Sequence, residues 1–131
     1  MKTITKENEI KTQEILDKSK DSVAKGDKLS AIKLWKEACK LGNLTACYNL
    51  GQAYRDGWGV KQSYRLAFKY YEYASNHGHP PAKYNLGVMY EQGIGVEKNF
   101  IEAYELFSAS AYLGYAPAKK AMKQLYGEKV K

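Results

Sequence analysis

A repeat of 36 residues runs through most of this 131-residue chain. When residues 46–81 are aligned with residues 82–117, twelve of the 36 positions are identical, including the segments Y-N-L-G and G-x-G-V and a final proline. The same register extends to Ala31 on one side and to Ala118 on the other. Because a period of about 20–50 residues is typical of proteins that stack one structural unit, the sequence predicts a single domain of stacked repeats.

Each repeat contains two segments with the apolar spacing of an α-helix. The first segment carries Ala46, Leu50, Gly51 and Tyr54 on one face. The glycine, which costs about 1 kcal/mol relative to alanine in a helix, indicates a neighbouring helix that packs closely. The second segment alternates alanines with large rings and ends at a glycine, which often terminates helices in the left-handed conformation. Proline follows, where it can open the next helix. We therefore expect antiparallel helix pairs.

These motifs resemble the Sel1-like repeat family, a relative of the tetratricopeptide repeat. The family pattern of alanine, Y-x-L-G, G-x-G-V, alanine and a closing glycine recurs in register over roughly residues 28–127. The resemblance implies an all-α, right-handed α-solenoid of about seven helices. Within residues 1–131 we expect a degenerate pair at 6–42, full repeats at 43–78 and 79–114, and a capping helix at 115–131. The first helix, roughly residues 6–24, has few apolar positions, as expected of a polar terminal cap.

The chain has two cysteines, Cys39 and Cys47, on either side of a predicted turn between helices. Antiparallel helices joined by a short turn bring such positions within reach of a disulfide. The counterparts of Cys47 in the later repeats are Lys83 and Lys119, which predicts that this position faces solvent. Since an exposed lone thiol is unusual, we favour a disulfide, and two small buried free cysteines are the alternative.

The cysteine spacing also resembles the Helicobacter cysteine-rich branch of the family, whose members are secreted or periplasmic and have a disulfide in each repeat. The resemblance implies a periplasmic or secreted protein, in agreement with the oxidising compartment that disulfides require. The first twenty residues contain no recognisable secretory leader,, so a cytoplasmic location is the alternative. No run approaches the ~20 apolar residues of a transmembrane helix.

Three further motifs do not indicate catalysis or metal binding. The G-x-G-V segments recur once per repeat with an apolar middle residue, so turns with positive φ are a better interpretation than phosphate-binding loops. His77 and His79 have no partner ligands in sequence, and a metal usually needs three or four. Ser22 and Lys25 form S-x-x-K, but the S-D-N and K-T-G segments that accompany this motif in penicillin-recognising enzymes are absent. We therefore expect no catalytic residue, metal or cofactor.

The predicted binding surface is the concave face, which the first helices of such repeats line. Outside the core positions, these helices present Tyr48, Asn49, Gln52, Arg55, Tyr84, Asn85, Val88, Glu91, Lys120 and Gln124. In related tetratricopeptide repeats the matching positions contact bound peptides. Tyrosines supply rigid contact area, and asparagines can pair with the amides of an extended peptide. The alternative is that the asparagines only tie neighbouring helices together and that the tyrosines only complete the core. For Arg55 and Glu91, whose residue types differ between the repeats, a solvated surface is favoured.

The sequence thus predicts a non-enzymatic adaptor or scaffold whose concave face binds a protein or peptide segment. A net charge of +7 favours an acidic partner, whereas the scattered lysines do not form a nucleic-acid-binding surface. One rival, implied by the resemblance alone, is a secreted penicillin-binding or β-lactamase-like protein. Another is a scaffold that presents its convex face or self-associates, and the sequence does not set the oligomeric state.

Overall fold

The computed structural model describes residues 5–127, which form seven α-helices and no strand. The helices are α1 (Lys6–Ala24), α2 (Lys28–Lys40), α3 (Leu44–Asp56), α4 (Tyr64–Asn76), α5 (Pro80–Gln92), α6 (Phe100–Tyr112) and α7 (Ala116–Tyr126). Each helix packs against the next one in the chain. The predicted fold class, an all-α solenoid of antiparallel helix pairs, is confirmed. Residues 128–131, the end of the predicted capping helix, lie outside the described range.

The start of each helix follows from its local sequence. Five helices have an N-cap side chain that accepts a hydrogen bond from a backbone N–H of the first turn, namely Thr5, Asp27, Asn43, Ser63 and Asn99. A cap of this kind stabilises a helix by about 1 kcal/mol. The helices α5 and α7 have no such bond and instead have proline in the first turn, where its fixed φ favours the helix.

The G-x-G-V segments form the turns between α3 and α4 and between α5 and α6. Their glycines, Gly57, Gly59, Gly93 and Gly95, have φ values between 69° and 72°, which confirms the prediction of turns with positive φ. The turns are also packing points, because a Cβ on Gly95 would lie 2.9 Å from the backbone oxygen of Tyr64. A Cβ on Gly59 would likewise lie 3.0 Å from Cβ of Lys28, so each turn packs against the second helix of the preceding pair.

The glycines inside α3 and α5 mark the closest approach of two helices. A Cβ on Gly51 would lie 2.6 Å from Cε1 of Tyr71, and a Cβ on Gly87 would lie 2.9 Å from Cε1 of Phe107. Both rings are buried and belong to the core. The prediction that a neighbouring helix packs against this glycine is confirmed.

Alternate helices share each of the two broad surfaces of the molecule. We call the surface formed by α1, α3, α5 and α7 the first-helix face, and the surface formed by α2, α4 and α6 the second-helix face. The first-helix face contains a groove between α1 and α3, whereas the second-helix face contains a groove between α2 and α4. The residues predicted to bind a partner belong to the first-helix face.

A disulfide joins the end of α2 to the start of α3. It links Cys39 to Cys47, whose Cα atoms lie 4.9 Å apart. Cys47 is 0% exposed, so the prediction that its position faces solvent is wrong. At the equivalent position of the next repeat, Lys83 is half-buried, because a long lysine stem can reach from between helices to water, whereas the short cysteine side chain stays between the helices. Within residues 5–127, no helix is long and apolar enough to cross a membrane.

Candidate functional site

A groove between α1 and α3 opens on the first-helix face. Its two adjoining parts have volumes of about 260 Å³ and 410 Å³ and share Val23, Trp35 and Asn49 among their lining residues. Trp35 also stacks on Trp58, with ring centroids 5.5 Å apart. Since both rings are half-buried, they give the groove a rigid aromatic lining beside polar side chains of α3. We call it the α1–α3 groove.

The polar lining of the α1–α3 groove includes three of the predicted site residues, Asn49, Gln52 and Arg55. The Arg55 guanidinium donates two hydrogen bonds to the carboxylate of Asp56, at 2.9 Å and 3.1 Å. This contact lowers the pKa of Asp56 and raises that of Arg55. Asn85 donates a side-chain hydrogen bond to another helix. Within residues 5–127, the side chains of Asn49 and Gln52 make no such hydrogen bond. Their amide groups are therefore available to a ligand.

Tyr48 and Asn85 connect α3 to α5. Nδ2 of Asn85 donates a hydrogen bond of 3.3 Å to the hydroxyl of Tyr48, and the Tyr48 ring packs against Tyr71 and His79. Burial raises the pKa of Tyr48 and raises that of Tyr71 to about 12. At Asn85, the structure therefore favours the alternative in which the asparagine ties two helices together.

The remaining predicted site residues lie further along the first-helix face. The half-buried Tyr84 packs against Phe107 and Tyr115, and Val88 packs against the core formed by α6 and α7. Glu91 is half-buried at the end of α5, whereas Lys120 and Gln124 are exposed on α7. None of these five lines the α1–α3 groove. The predicted site residues therefore divide into those that line the groove and those that lie elsewhere on the first-helix face.

Val23, Trp35 and Trp58 line the α1–α3 groove but were not among the predicted site residues. Trp35 belongs to a second helix, and Trp58 is the variable middle residue of a G-x-G-V segment. Trp35 and Trp58 are the chain's two tryptophans, and the repeat pattern requires neither of them. Their presence in the sequence could therefore have marked them as candidate site residues. Lys28 lies over the Trp58 ring, with Nζ 5.6 Å from the centroid.

The S-x-x-K motif and the two histidines, which the sequence did not assign to catalysis or metal binding, take part in local contacts. Nζ of Lys25, the lysine of S-x-x-K, forms an ion pair of 3.0 Å with Asp21. The Nδ1 atom of His77 lies 2.8 Å from the backbone oxygen of Tyr73, while burial lowers the pKa of His79. Among the described residues, no three His, Cys, Asp or Glu side chains are grouped to hold a metal ion.

Several solved structures resemble this one. A Sel1 repeat protein from Oxalobacter formigenes is 32% identical, with a TM-score of 0.80, over 86% of this chain and 88% of that one. The c5321 protein, a protective antigen of uropathogenic Escherichia coli strains that displays an SLR fold, is 29% identical with a TM-score of 0.68. That match covers 77% of this chain but 23% of the antigen.

The fold is also similar to that of cysteine-rich protein B from Helicobacter pylori. The two are 22% identical with a TM-score of 0.68, over 85% of this chain and 94% of that one, a likeness of fold alone. No curated protein matches the chain. Sel1 repeats generally serve as non-catalytic scaffolds for protein interactions. Because the Sel1 repeat model matches residues 16–43, 44–79 and 80–115, this chain belongs to the Sel1 repeat family.

Proposed function

We propose that this protein is a non-enzymatic adaptor that binds an extended protein segment in the α1–α3 groove. The observation that supports this most directly is the groove itself, where Trp35 lies beside the available amides of Asn49 and Gln52. Sites that bind peptides combine apolar contact area with a few well-placed polar groups. The general role of Sel1 repeats as protein-interaction scaffolds agrees with this proposal.

The lining of the groove determines what kind of segment fits. An apolar side chain of the ligand packs against Val23 and Trp35, while its backbone amide groups pair with Asn49 and Gln52, whose side chains each offer both donors and an acceptor. The segment then continues along the first-helix face past Tyr48, Tyr84, Asn85 and Val88 toward Glu91, Lys120 and Gln124. In this proposal those residues add contact area to an anchor that lies in the groove.

An acidic segment suits the charges around the groove. Its lining includes the cations of Lys20 and Arg55 and the carboxylate of Asp56. Because Asp56 is paired with Arg55, Lys20 gives the lining a net positive charge. The whole chain has a net charge of +7, which attracts negatively charged partners at long range and speeds their association. We therefore expect binding to weaken as the salt concentration rises.

The proposed location of this adaptor is the periplasm or the outside of the cell. The disulfide between Cys39 and Cys47 supports an oxidising compartment, because thiols are kept reduced in the cytosol. Titration of free thiols in protein released directly into acid would test this. We expect fewer than one free thiol per chain, and two free thiols would contradict the location.

The binding proposal is tested with peptides selected from a random displayed library against the intact chain. For the tightest selected peptide, we expect the double change Asn49→Ala with Gln52→Ala to weaken binding about tenfold, since two hydrogen bonds are lost. The matched control is Lys33→Ala, which alters an exposed residue of α2 on the other face. Isothermal titration measures the affinities, and circular dichroism confirms that the variants remain helical.

Two results would contradict the proposal. One is a selected peptide whose affinity is unchanged by the double substitution but falls with Lys33→Ala, which would place binding on the second-helix face. The other is sustained turnover of the β-lactam nitrocefin by protein purified to constant specific activity, which would instead support the enzymatic rival.

A further inference from the structure

The second-helix face contains a groove with uncompensated positive charge. This groove, between α2 and α4, has a volume of about 510 Å³ and is lined by Lys36, Lys40, Lys69, Leu66, Tyr70, Tyr73 and Cys39. The three lysines are exposed, and no carboxylate is among the lining residues. We call it the lysine groove. It offers aromatic and apolar contact area together with three cations.

The outer side of α6, on the same face, has the opposite character. Ile101, Glu105, Ser108 and Tyr112 follow one side of the helix at helical spacing,, and Tyr112 is 91% and Ile101 74% exposed. We call these four residues the α6 stripe. Among the seven helices of residues 5–127, α6 alone has acidic residues without a basic one. Five of the eleven large apolar side chains that are exposed within residues 5–127 lie between Phe100 and Leu113, and apolar side chains clustered in this way mark interaction surfaces.

A further helix of the repeat would not cover the α6 stripe. The residues of α4 at the equivalent positions, Arg65, Lys69, Glu72 and Asn76, stay exposed although α5 and α6 follow them in the chain. A further repeat would therefore also leave this side of α6 open. The stripe requires a different occupant.

We propose that this occupant is a second copy of the chain, with α6 of each copy lying in the lysine groove of the other. Glu105 then faces the lysines, while Ile101 and Tyr112 cover the apolar and aromatic lining of the groove. Both surfaces lie on the second-helix face, so one two-fold axis forms both contacts at once. Two-fold dimers are the commonest homo-oligomers, and complementary charge fixes their register.

The dimer depends on local pairing, because two copies of a chain with charge +7 repel each other at long range. We therefore expect a transient dimer with a dissociation constant between ~1 µM and ~1 mM. The first-helix faces of both copies stay open in this arrangement. The dimer would present two ligand grooves and gain avidity for a partner that carries two binding segments.

Charge reversal tests the pairing of the α6 stripe with the lysine groove. Sedimentation equilibrium is measured from ~10 µM to ~1 mM protein for the native chain, Lys69→Glu, Glu105→Lys and the double variant that carries both changes. We expect each single reversal to raise the dissociation constant at least tenfold, and the double variant to return within about threefold of the native value, since the swap restores opposite charges. Lys123→Glu on α7, with the same change of net charge as Lys69→Glu, should leave the native association unaltered.

A native chain that stays monomeric over the whole range overturns the proposal. So does a double variant that associates no better than either single one. Circular dichroism checks that the variants fold. If a charge variant does not fold, Tyr112→Ser replaces it, because this side chain is almost fully exposed and should weaken the dimer without affecting the helix. Peptide binding in the α1–α3 groove is measured separately and does not depend on the outcome.

Discussion

Two junctions between helix pairs occupy equivalent places in successive repeats but are closed by different chemistry. Thirty-six residues separate Cys39 from Ser75 and Cys47 from Lys83. At the junction of α2 and α3 the two cysteines form a disulfide. At the junction of α4 and α5, Ser75 is buried, and the hydroxyl of Ser110 in α6 donates a hydrogen bond of 2.8 Å to the carbonyl of Pro80.

The backbone of the two junctions is nevertheless the same. The N–H of Asn43 bonds to the carbonyl of Ala38, and the N–H of His79 bonds to the carbonyl of Ala74, both at 3.0 Å. The glycine before each of these N-cap residues has positive φ, 96° in one and 91° in the other. The helix ends and the glycine therefore set the turn, and the disulfide adds stability to a turn that forms without it.

The largest expected effect is that of removing the disulfide. Changing both Cys39→Ala and Cys47→Ala should lower the free energy of unfolding by about 2–3 kcal/mol, because the bridge restricts the unfolded chain over a short loop. Helix content should stay unchanged, since the same backbone bonds form at the unbridged junction. Urea unfolding followed by circular dichroism measures both quantities. Loss of helix in the folded variant would show that the bridge determines the turn.

The opposite change introduces a second bridge. Ser75→Cys with Lys83→Cys places cysteines at the positions equivalent to the native pair, and we expect a gain of about 2 kcal/mol in the free energy of unfolding under oxidising conditions. The variant with Ser75→Cys and Lys83→Ser is the control, because it changes the same positions without a possible bridge. A gain that persists after reduction with dithiothreitol would be due to packing and would contradict the equivalence of the two junctions.

The sequence predicted the fold because the residues that determine it recur every 36 positions. Glycine permits a close helix contact or a positive φ, and proline favours the start of a helix. Because these residues recur at equivalent positions, the structural features that they indicate can be recognised from the sequence. The burial of Cys47 was missed because the prediction compared it with lysines. From the same backbone position, a lysine side chain reaches water, whereas a cysteine side chain stays between the helices. Repeat alignment compares positions by residue type, whereas burial also depends on side-chain length.

The candidate site was less predictable, because it involves residues that the repeat does not relate. Asn49 and Asn85 are equivalent in sequence, yet Asn85 bonds to the Tyr48 hydroxyl. Asn49 instead shares its groove with Leu16, Ser19 and Val23 of α1, and the Ser19 hydroxyl donates to the backbone oxygen of Leu16. The helix α1 departs from the repeat pattern, so alignment gave no information about what it places opposite α3. The α1–α3 groove results from that departure.

The smallest expected effect concerns the pH dependence of the unbridged junction. Asn43 caps α3 by accepting a hydrogen bond of 2.8 Å from the N–H of Ala46. His79, at the equivalent place, makes no side-chain cap bond, and its Nε2 atom is buried without a hydrogen-bond partner. Burial lowers the pKa of His79 below its usual value. The folded protein thus disfavours the protonated ring. The contribution of neutral His79 to the free energy of unfolding is complete above the pKa of the unfolded histidine, about 6.5.

As the pH falls below that value, the unfolded chain takes up a proton more readily than the folded one, so the free energy of unfolding decreases. We expect the urea midpoint to fall less between pH 7.5 and pH 5 in His79→Gln than in the native chain, whereas His77→Gln, at an exposed histidine, should behave like the native chain. Since the two variants differ only in which histidine is removed, carboxylates and lysines contribute equally to both. Equal pH dependence in the two variants would mean that His79 is protonated as easily in the folded state as in the unfolded state, and that both junctions are insensitive to pH in this range.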